Sequence, residues 1–384
     1  MFTLQELGWC DFFRTRAAEN PAVRLGHSGQ SGRTLGTELV PARVAGSNRA
    51  LYRILCEEGE FPAGPSGKLR HAAEAGSGLP AVGDWVLAQL RLGERRATIH
   101  RLLPRRGSFS RKTAGEKTEE QVVAANIDVL FLVTSLNRDF NLRRIERYLV
   151  LAWEGGARPV VVLNKADLCE TAEAFRTEAE SACMGVRVVL TSATRGDGIA
   201  EIRAILRGDR GSGTGCLTAA MVGSSGVGKS SLINVLVGDG LPRGERLKTQ
   251  AVREGDERGR HTTSSRQLLP VPSGGVVIDT PGMRELQLWD AAKGMGRTFG
   301  DILELAARCR FRDCRHQSEP GCAVRAAVEA TTLDAERVES FYKLDREEQF
   351  LAAKQDAALR AQRTKDLRKV MRSVNRFYRE RGRY

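Results

Sequence analysis

The 384-residue sequence predicts a three-part chain: a small N-terminal β-barrel, a central and largely parallel α/β sheet, and a C-terminal helical region built around a cysteine/histidine cluster. Three observations carry this. Short β-like runs separated by turn residues fill Glu38 to Arg106, which is the spacing of a small barrel. From Asn126 onward, continuous apolar runs alternate with helix-like segments, as strands buried on both faces of a parallel sheet require. Beyond Leu288 the strand-like runs stop, and Cys309, Cys314, His316 and Cys322 follow within fourteen residues.

In chain order, residues 1–37 read as an N-terminal arm or short helix, polar apart from a patch at Leu7, Trp9 and Phe12. Residues 38–110 form the barrel, with an OB-fold as the favoured version. Its clearest strands are Leu39 to Val44, Ala50 to Cys56, Gly83 to Gln89 and Ala97 to Leu103, with a glycine- and proline-rich loop expected over Phe61 to Pro80. Residues 111–287 form the α/β domain. Its strands are expected at Ile127 to Thr134, Val160 to Leu163, Val186 to Leu190, Leu217 to Val222 and Val276 to Ile278, with a helix over Arg143 to Trp153. Residues 288–384 carry the cluster and helices, and they end in a basic tail. There Arg368, Arg372, Arg376 and Arg379 share one helical stripe.

Composition narrows the class. At 41% hydrophobic and 28% charged the chain is globular, neither fibrous nor disordered. A net charge of +13 favours a polyanionic partner. No run approaches the roughly 18 apolar residues of a membrane span, and the N-terminus lacks the apolar stretch of a signal peptide. A cytoplasmic, monomeric protein without a membrane partner is expected. Cys10, Cys56, Cys169, Cys183 and Cys216 are scattered and read as plain thiols in a reducing compartment.

The sharpest motif is Gly223-Ser224-Ser225-Gly226-Val227-Gly228-Lys229-Ser230, a full GxxxxGK[ST] between a strand-like run and a helix-like one, with Ser231 continuing it. Such a loop turns backbone N–H groups toward phosphates at a helix N-terminus. Lys229 is expected on the β- and γ-phosphates, and the Ser230 hydroxyl on Mg²⁺. Asn164-Lys165-Ala166-Asp167 also follows a strand-like run. The Asp167 carboxylate can accept hydrogen bonds from guanine N1–H and N2, donors that adenine does not place there. Lys165 would lie along the base and Asn164 would brace the loops. Ser192-Ala193 follows the next run and resembles the next GTPase motif, in which the Ala193 N–H would meet guanine O6. Asp279-Thr280-Pro281-Gly282 is DxxG: Asp279 would hold Mg²⁺ through a water, and the Gly282 N–H would contact the γ-phosphate. Between them lies Gly259-Arg260-His261-Thr262-Thr263, where one threonine should close onto Mg²⁺; Thr262 is favoured over Thr263. Together these describe a P-loop GTPase binding GTP or GDP.

Their order is rotated. The base-reading motifs precede the phosphate loop, and DxxG comes last. A circular permutation explains this if the usual termini are joined, and the small-residue stretch Arg207 to Gly215 suits such a linker. The cluster CxxxxCxHxxxxxC offers Cys309, Cys314, His316 and Cys322, a Cys₃His set suited to one structural zinc ion (Zn²⁺) with no open coordination position.

The combination resembles the RsgA family of circularly permuted small-ribosomal-subunit biogenesis GTPases. The resemblance rests on AANID at Ala124 to Asp128, NKAD, the permuted GSSGVGKSS, GRHTT, DTPGM and the cysteine/histidine cluster. It implies an OB-fold, a permuted GTPase domain and a zinc domain. It also implies GTP hydrolysis stimulated by the small ribosomal subunit, contact with its rRNA, and a role late in its maturation. Many GTPases orient the attacking water with a glutamine after DxxG; Met283 stands there and cannot polarise water. The resemblance points instead to His261 as the catalytic group. Two other readings compete: a nucleotide-gated RNA-binding protein with negligible hydrolysis, and a GTPase serving a metal or membrane partner.

Overall fold

The computed structural model describes residues 2–19, 38–48, 51–73, 78–112, 120–136, 139–208, 215–238, 266–279 and 292–353. They divide into two units, Met1–Arg111 with Gln121–Leu286 and Lys112–Glu120 with Gln287–Tyr384.

The first unit opens with helix α1 (Asp11–Ala18). Leu7, Trp9, Phe13 and Ala17 are buried, and Trp9 meets Trp85 edge-on with ring centroids 4.7 Å apart. Five strands follow: β1 (Val40–Asn48), β2 (Leu51–Cys56), β3 (Gly59–Pro65), β4 (Trp85–Arg91) and β5 (Arg96–Leu102), with helix α2 (Gly67–Ala72) between β3 and β4. They pair in the order β1-β2-β3-β5-β4, and β4 closes back onto β1. Only β3 and β5 run parallel among these pairs. Val44, Ile54, Phe61, Val86 and Ile99 fill the interior.

The expected loop over Phe61 to Pro80 is corrected here, because that stretch carries most of β3 and all of α2. Pro62 and Pro65 read as strand breakers, yet Phe61, Ala63 and Pro65 alternate inward as a strand requires. Ser66 starts α2 by accepting a hydrogen bond from the Leu69 N–H at 3.2 Å.

Arg43 on β1 is buried at 1% exposure. Its Nε donates to the Gly83 carbonyl at 3.2 Å, its Nη2 to that of Asn126 at 3.3 Å, and its Nη1 to that of Leu7. Burial, and then the charge of Arg106, pull its pKa down to about 9. Three separate segments thus share one guanidinium. After the barrel, β6 (Ser108–Lys112) and β7 (Glu120–Ala125) form a two-stranded ribbon.

The α/β part runs β8 (Val129–Ser135), α3 (Leu142–Glu154), β9 (Arg158–Asn164), α4 (Ala172–Ala182), β10 (Arg187–Thr191), α5 (Ile199–Arg207), β11 (Thr218–Val222), α6 (Lys229–Val237), β12 (Gln267–Pro270) and β13 (Val276–Asp279). Their order is β10-β9-β8-β11-β13-β12. All are parallel except β12, which runs antiparallel to β13. Phe131, Val162, Ile202, Leu232 and Val277 sit in its core. The far edge of β12 pairs with β1 at Gly46 and Gln267, so barrel and α/β sheet form one continuous sheet of eleven strands.

The second unit contains α7 (Ala292–Thr298), α8 (Gly300–Ala306), α9 (Ala323–Glu329) and a helix over residues 335–353. Arg337 ties it together, donating to the Asp301 carboxylate at 2.9 and 3.0 Å and to the Thr298 carbonyl at 2.6 Å. Phe299 stacks edge-on against Phe341 at 5.5 Å. Among the described residues, no helix is long and apolar enough to cross a membrane.

Candidate active site

The motif residues gather at the C-terminal ends of β9, β10, β11 and β13, where an open α/β sheet presents its ligand crevice. The phosphate loop leaves β11 at Gly223 and enters α6 at Lys229. Two of its glycines are dictated by their surroundings. Gly223 sits at φ +151°, and a Cβ there would lie 2.0 Å from the Val133 carbonyl oxygen; Gly228 sits at φ +97°, and a Cβ would lie 2.2 Å from Asn164 Nδ2. Val227 is buried beneath the loop, whereas Ser225 and Gly226 are exposed at its tip. Ser230 and Ser231 are half-buried in the first turn of α6.

Asn164, at the end of β9, joins three loops. Its Nδ2 donates to the Val227 carbonyl at 2.7 Å, and its Oδ1 accepts from Thr191 Oγ1 at 3.1 Å. Lys165 follows in the left-handed region at φ +62° and opens a short 3-10 turn over Ala166–Leu168, on which Asp167 is half-buried. Ser192 is buried, and its hydroxyl accepts from the Arg195 N–H at 3.1 Å; Ala193 packs half-buried against the sheet core.

Lys229 Nζ donates to the carbonyls of Gly223 at 2.8 Å and Ser224 at 2.5 Å. Asp279, at the end of β13, is pushed above the usual carboxylate range by burial, an effect the nearby Lys229 charge opposes. One contact into this loop carries no sequence motif: Arg144 Nη1 donates to Ser224 Oγ at 2.5 Å. His261, Thr262, Thr263, Gly282, Met283, linker residues 209–214 and the tail beyond residue 353 lie outside the described residues.

In the second unit, ligand atoms of Cys309, Cys314, His316 and Cys322 all lie within 4.8 Å of one another. Cys309 Sγ is 3.4 Å from His316 Nδ1 and 3.9 Å from Cys322 Sγ; His316 Nδ1 is 3.3 Å from Cys322 Sγ. A tetrahedral zinc ion with ordinary bond lengths places two sulfurs about 3.8 Å apart and sulfur and nitrogen about 3.6 Å apart. The donor set fits. His316 is held at φ +56°, a strain of about 1–2 kcal/mol for a non-glycine residue that metal ligation can offset. Backbone N–H groups of Arg315, Ser318 and Gln317 bind the Glu319 carboxylate and help draw it down to about 2, which fixes the loop between the ligands.

Comparison with known proteins agrees with this geometry. Residues 102–289 match the family model described as RsgA GTPase. A small ribosomal subunit biogenesis GTPase RsgA from Opitutus terrae is 42% identical over 379 residues, covering 94% of each chain. One from Xanthomonas axonopodis pv. citri is 44% identical over 349 residues, covering 89% of this chain and 87% of that one. Among solved structures, YjeQ from Thermotoga maritima superposes with a TM-score of 0.59 at 27% identity, covering 80% of this chain and 98% of that one. YloQ, described as a circularly permuted GTPase, shares the fold with a TM-score of 0.55 at 22% identity, over 85% and 98% of the two chains.

Proposed function

The chain belongs to the RsgA family and is a GTP-hydrolysing enzyme; from that premise we propose that it binds the small ribosomal subunit and hydrolyses GTP to GDP and phosphate late in that subunit's maturation. The observation that carries the reading is the bridge Thr191–Asn164–Val227, which locks the NKxD strand to the phosphate loop although NKxD comes first in the chain.

In this reading the backbone N–H groups of Gly223 to Ser231 surround the phosphates, and Lys229 neutralises the β- and γ-phosphoryl oxygens. Asp167 selects guanine through its two acceptor oxygens, Lys165 covers the base, and Ser192 and Ala193 close its O6 edge. Ser230, Asp279 and one switch threonine, Thr262 in preference to Thr263, would hold Mg²⁺. When bound, that metal would supply neutralisation of the charge on the phosphates. Gly282 would meet the γ-phosphate. His261 takes the place of the missing glutamine and orients or deprotonates the attacking water. The zinc cluster supports its own segment and takes no part in the chemistry.

The closed barrel serves as an OB-fold that presents strands and loops to rRNA, and the arginine stripe of the tail meets phosphates. DxxG leads in sequence almost directly into residues 288–384, so nucleotide state biases that region. Sedimentation with purified small and large subunits tests the proposal. Co-sedimentation with the small subunit alone, stronger with a non-hydrolysable GTP analogue than with GDP, is expected. Equal affinity in both states contradicts the coupling, and no small-subunit binding contradicts the function.

A further inference from the structure

We propose that Arg144 is a positioning residue for the phosphate-binding lysine, acting through Ser224; this rests on the assignment of Gly223 to Ser230 as the GTP cradle. The contacts start on β8, where Thr134 Oγ1 donates to the Asp139 backbone carbonyl at 3.1 Å. Asp139 Oδ1 accepts from Arg144 Nη1 at 2.6 Å, and the same nitrogen donates to Ser224 Oγ at 2.5 Å. The Ser224 carbonyl in turn accepts from Lys229 Nζ at 2.5 Å, beside the Gly223 carbonyl at 2.8 Å.

An ammonium group has three donors. Two of them rest here on the first two carbonyls of the loop, so the orientation of those peptide planes sets where the ammonium sits. A glycine-rich loop holds its own planes weakly, because glycine has the largest backbone freedom to lose. Ser224 gives the rest of the molecule a side-chain grip on one of those planes, and Arg144 takes it. Asp139 offsets the guanidinium charge, so the device orients the loop more than it adds positive potential. The Arg144 and Asp139 side chains are 37% and 24% exposed, so the ion pair itself contributes little to fold stability. The GxxxxGK[ST] pattern asks nothing of position 224, and Arg144 lies 80 residues earlier. The grip is therefore a property of this chain's own residues beyond the motif.

The test is binding of fluorescent GDP and a non-hydrolysable GTP analogue, with phosphate release, for wild type, Arg144→Ala, Ser224→Ala, the double variant, Arg144→Lys and Lys229→Ala. Each single alanine variant should weaken both nucleotides about tenfold, and the double variant should be no worse than either single, as coupled residues behave. The melting temperature of the nucleotide-free protein should not change, and Arg144→Lys should recover part of the loss. Arg144→Ala binding within twofold of wild type, additive losses in the double variant, or a loss that tracks a lowered melting temperature overturns the proposal. Should Lys229→Ala bind as wild type does, the cradle assignment fails and this inference with it. Tight binding that is lost in Lys229→Ala but kept in Arg144→Ala removes the inference alone.

Discussion

Asp279 and Gly228 show how much of the site turns on single atoms. Asp279 is a half-buried carboxyl whose pKa desolvation raises above the ordinary value. In the nucleotide-free protein the native state therefore binds its proton more tightly than the unfolded chain does. Stability attributable to this group falls as pH rises from the ordinary carboxylate value through the raised one. Asp279→Asn should accordingly flatten that part of the stability–pH curve and raise the melting temperature at neutral pH, while abolishing Mg²⁺-dependent hydrolysis; calorimetry across pH checks the sign. Gly228→Ala places a Cβ against Asn164 Nδ2 and should break the Asn164–Val227 bond. We expect nucleotide affinity to fall at least about tenfold, with the cost of a left-handed alanine, about 1–2 kcal/mol, added to the lost hydrogen bond. Asn164 was legible as a brace because NKxD fixes its type and place. Arg144 was not, since nothing in a local pattern links an arginine on α3 to a serine 80 residues later.

At the scale of elements, legibility followed burial. Strands β8, β9, β10, β11 and β13 stand out as continuous apolar runs because both faces of the sheet are covered, and their limits lie within a residue or two of the expected ones. The short, half-apolar elements were missed. Strand β12 has four residues, of which only Leu268 and Leu269 are buried, and β3 hides its alternation behind two prolines. The cysteine/histidine segment follows a different rule, since in the proposed reading chelation takes the place of a core. Helix α9 buries only Val324, and its N-terminus is capped by the Cys322 sulfur accepting from the Arg325 N–H. We expect one zinc ion per chain by mass spectrometry or elemental analysis. Chelation or Cys314→Ser should unfold residues 309–329 by hydrogen exchange while GTP binding in the first unit persists.

The order of the whole molecule is that of a sheet whose chain has been cut and rejoined. Strands β8 to β10 come before β11 and β13 in the chain yet share one sheet with them, and Asn164 ties the end of β9 to the loop after β11. That rotation was plain in the sequence because the motifs are ordered landmarks. The fusion of barrel and α/β sheet was not, because it rests on a single β1–β12 pairing at Gly46 and Gln267. Strand β12 lies between GRHTT and DxxG in the chain and carries the pairing to the barrel. Binding to the small subunit should fall steeply with added salt if the barrel and tail meet phosphates, and a flat titration would count against that contact. The central claim is that a guanine-reading carboxylate from early in the chain and a phosphate loop from later in it make one site. The most direct measurement is phosphate release from GTP and from ATP, with small subunits present, by wild type and Asp167→Ala. Wild type should turn over GTP but not ATP, and Asp167→Ala should lose GTP turnover. Equal use of ATP and GTP, or unchanged GTP turnover in Asp167→Ala, would contradict the claim.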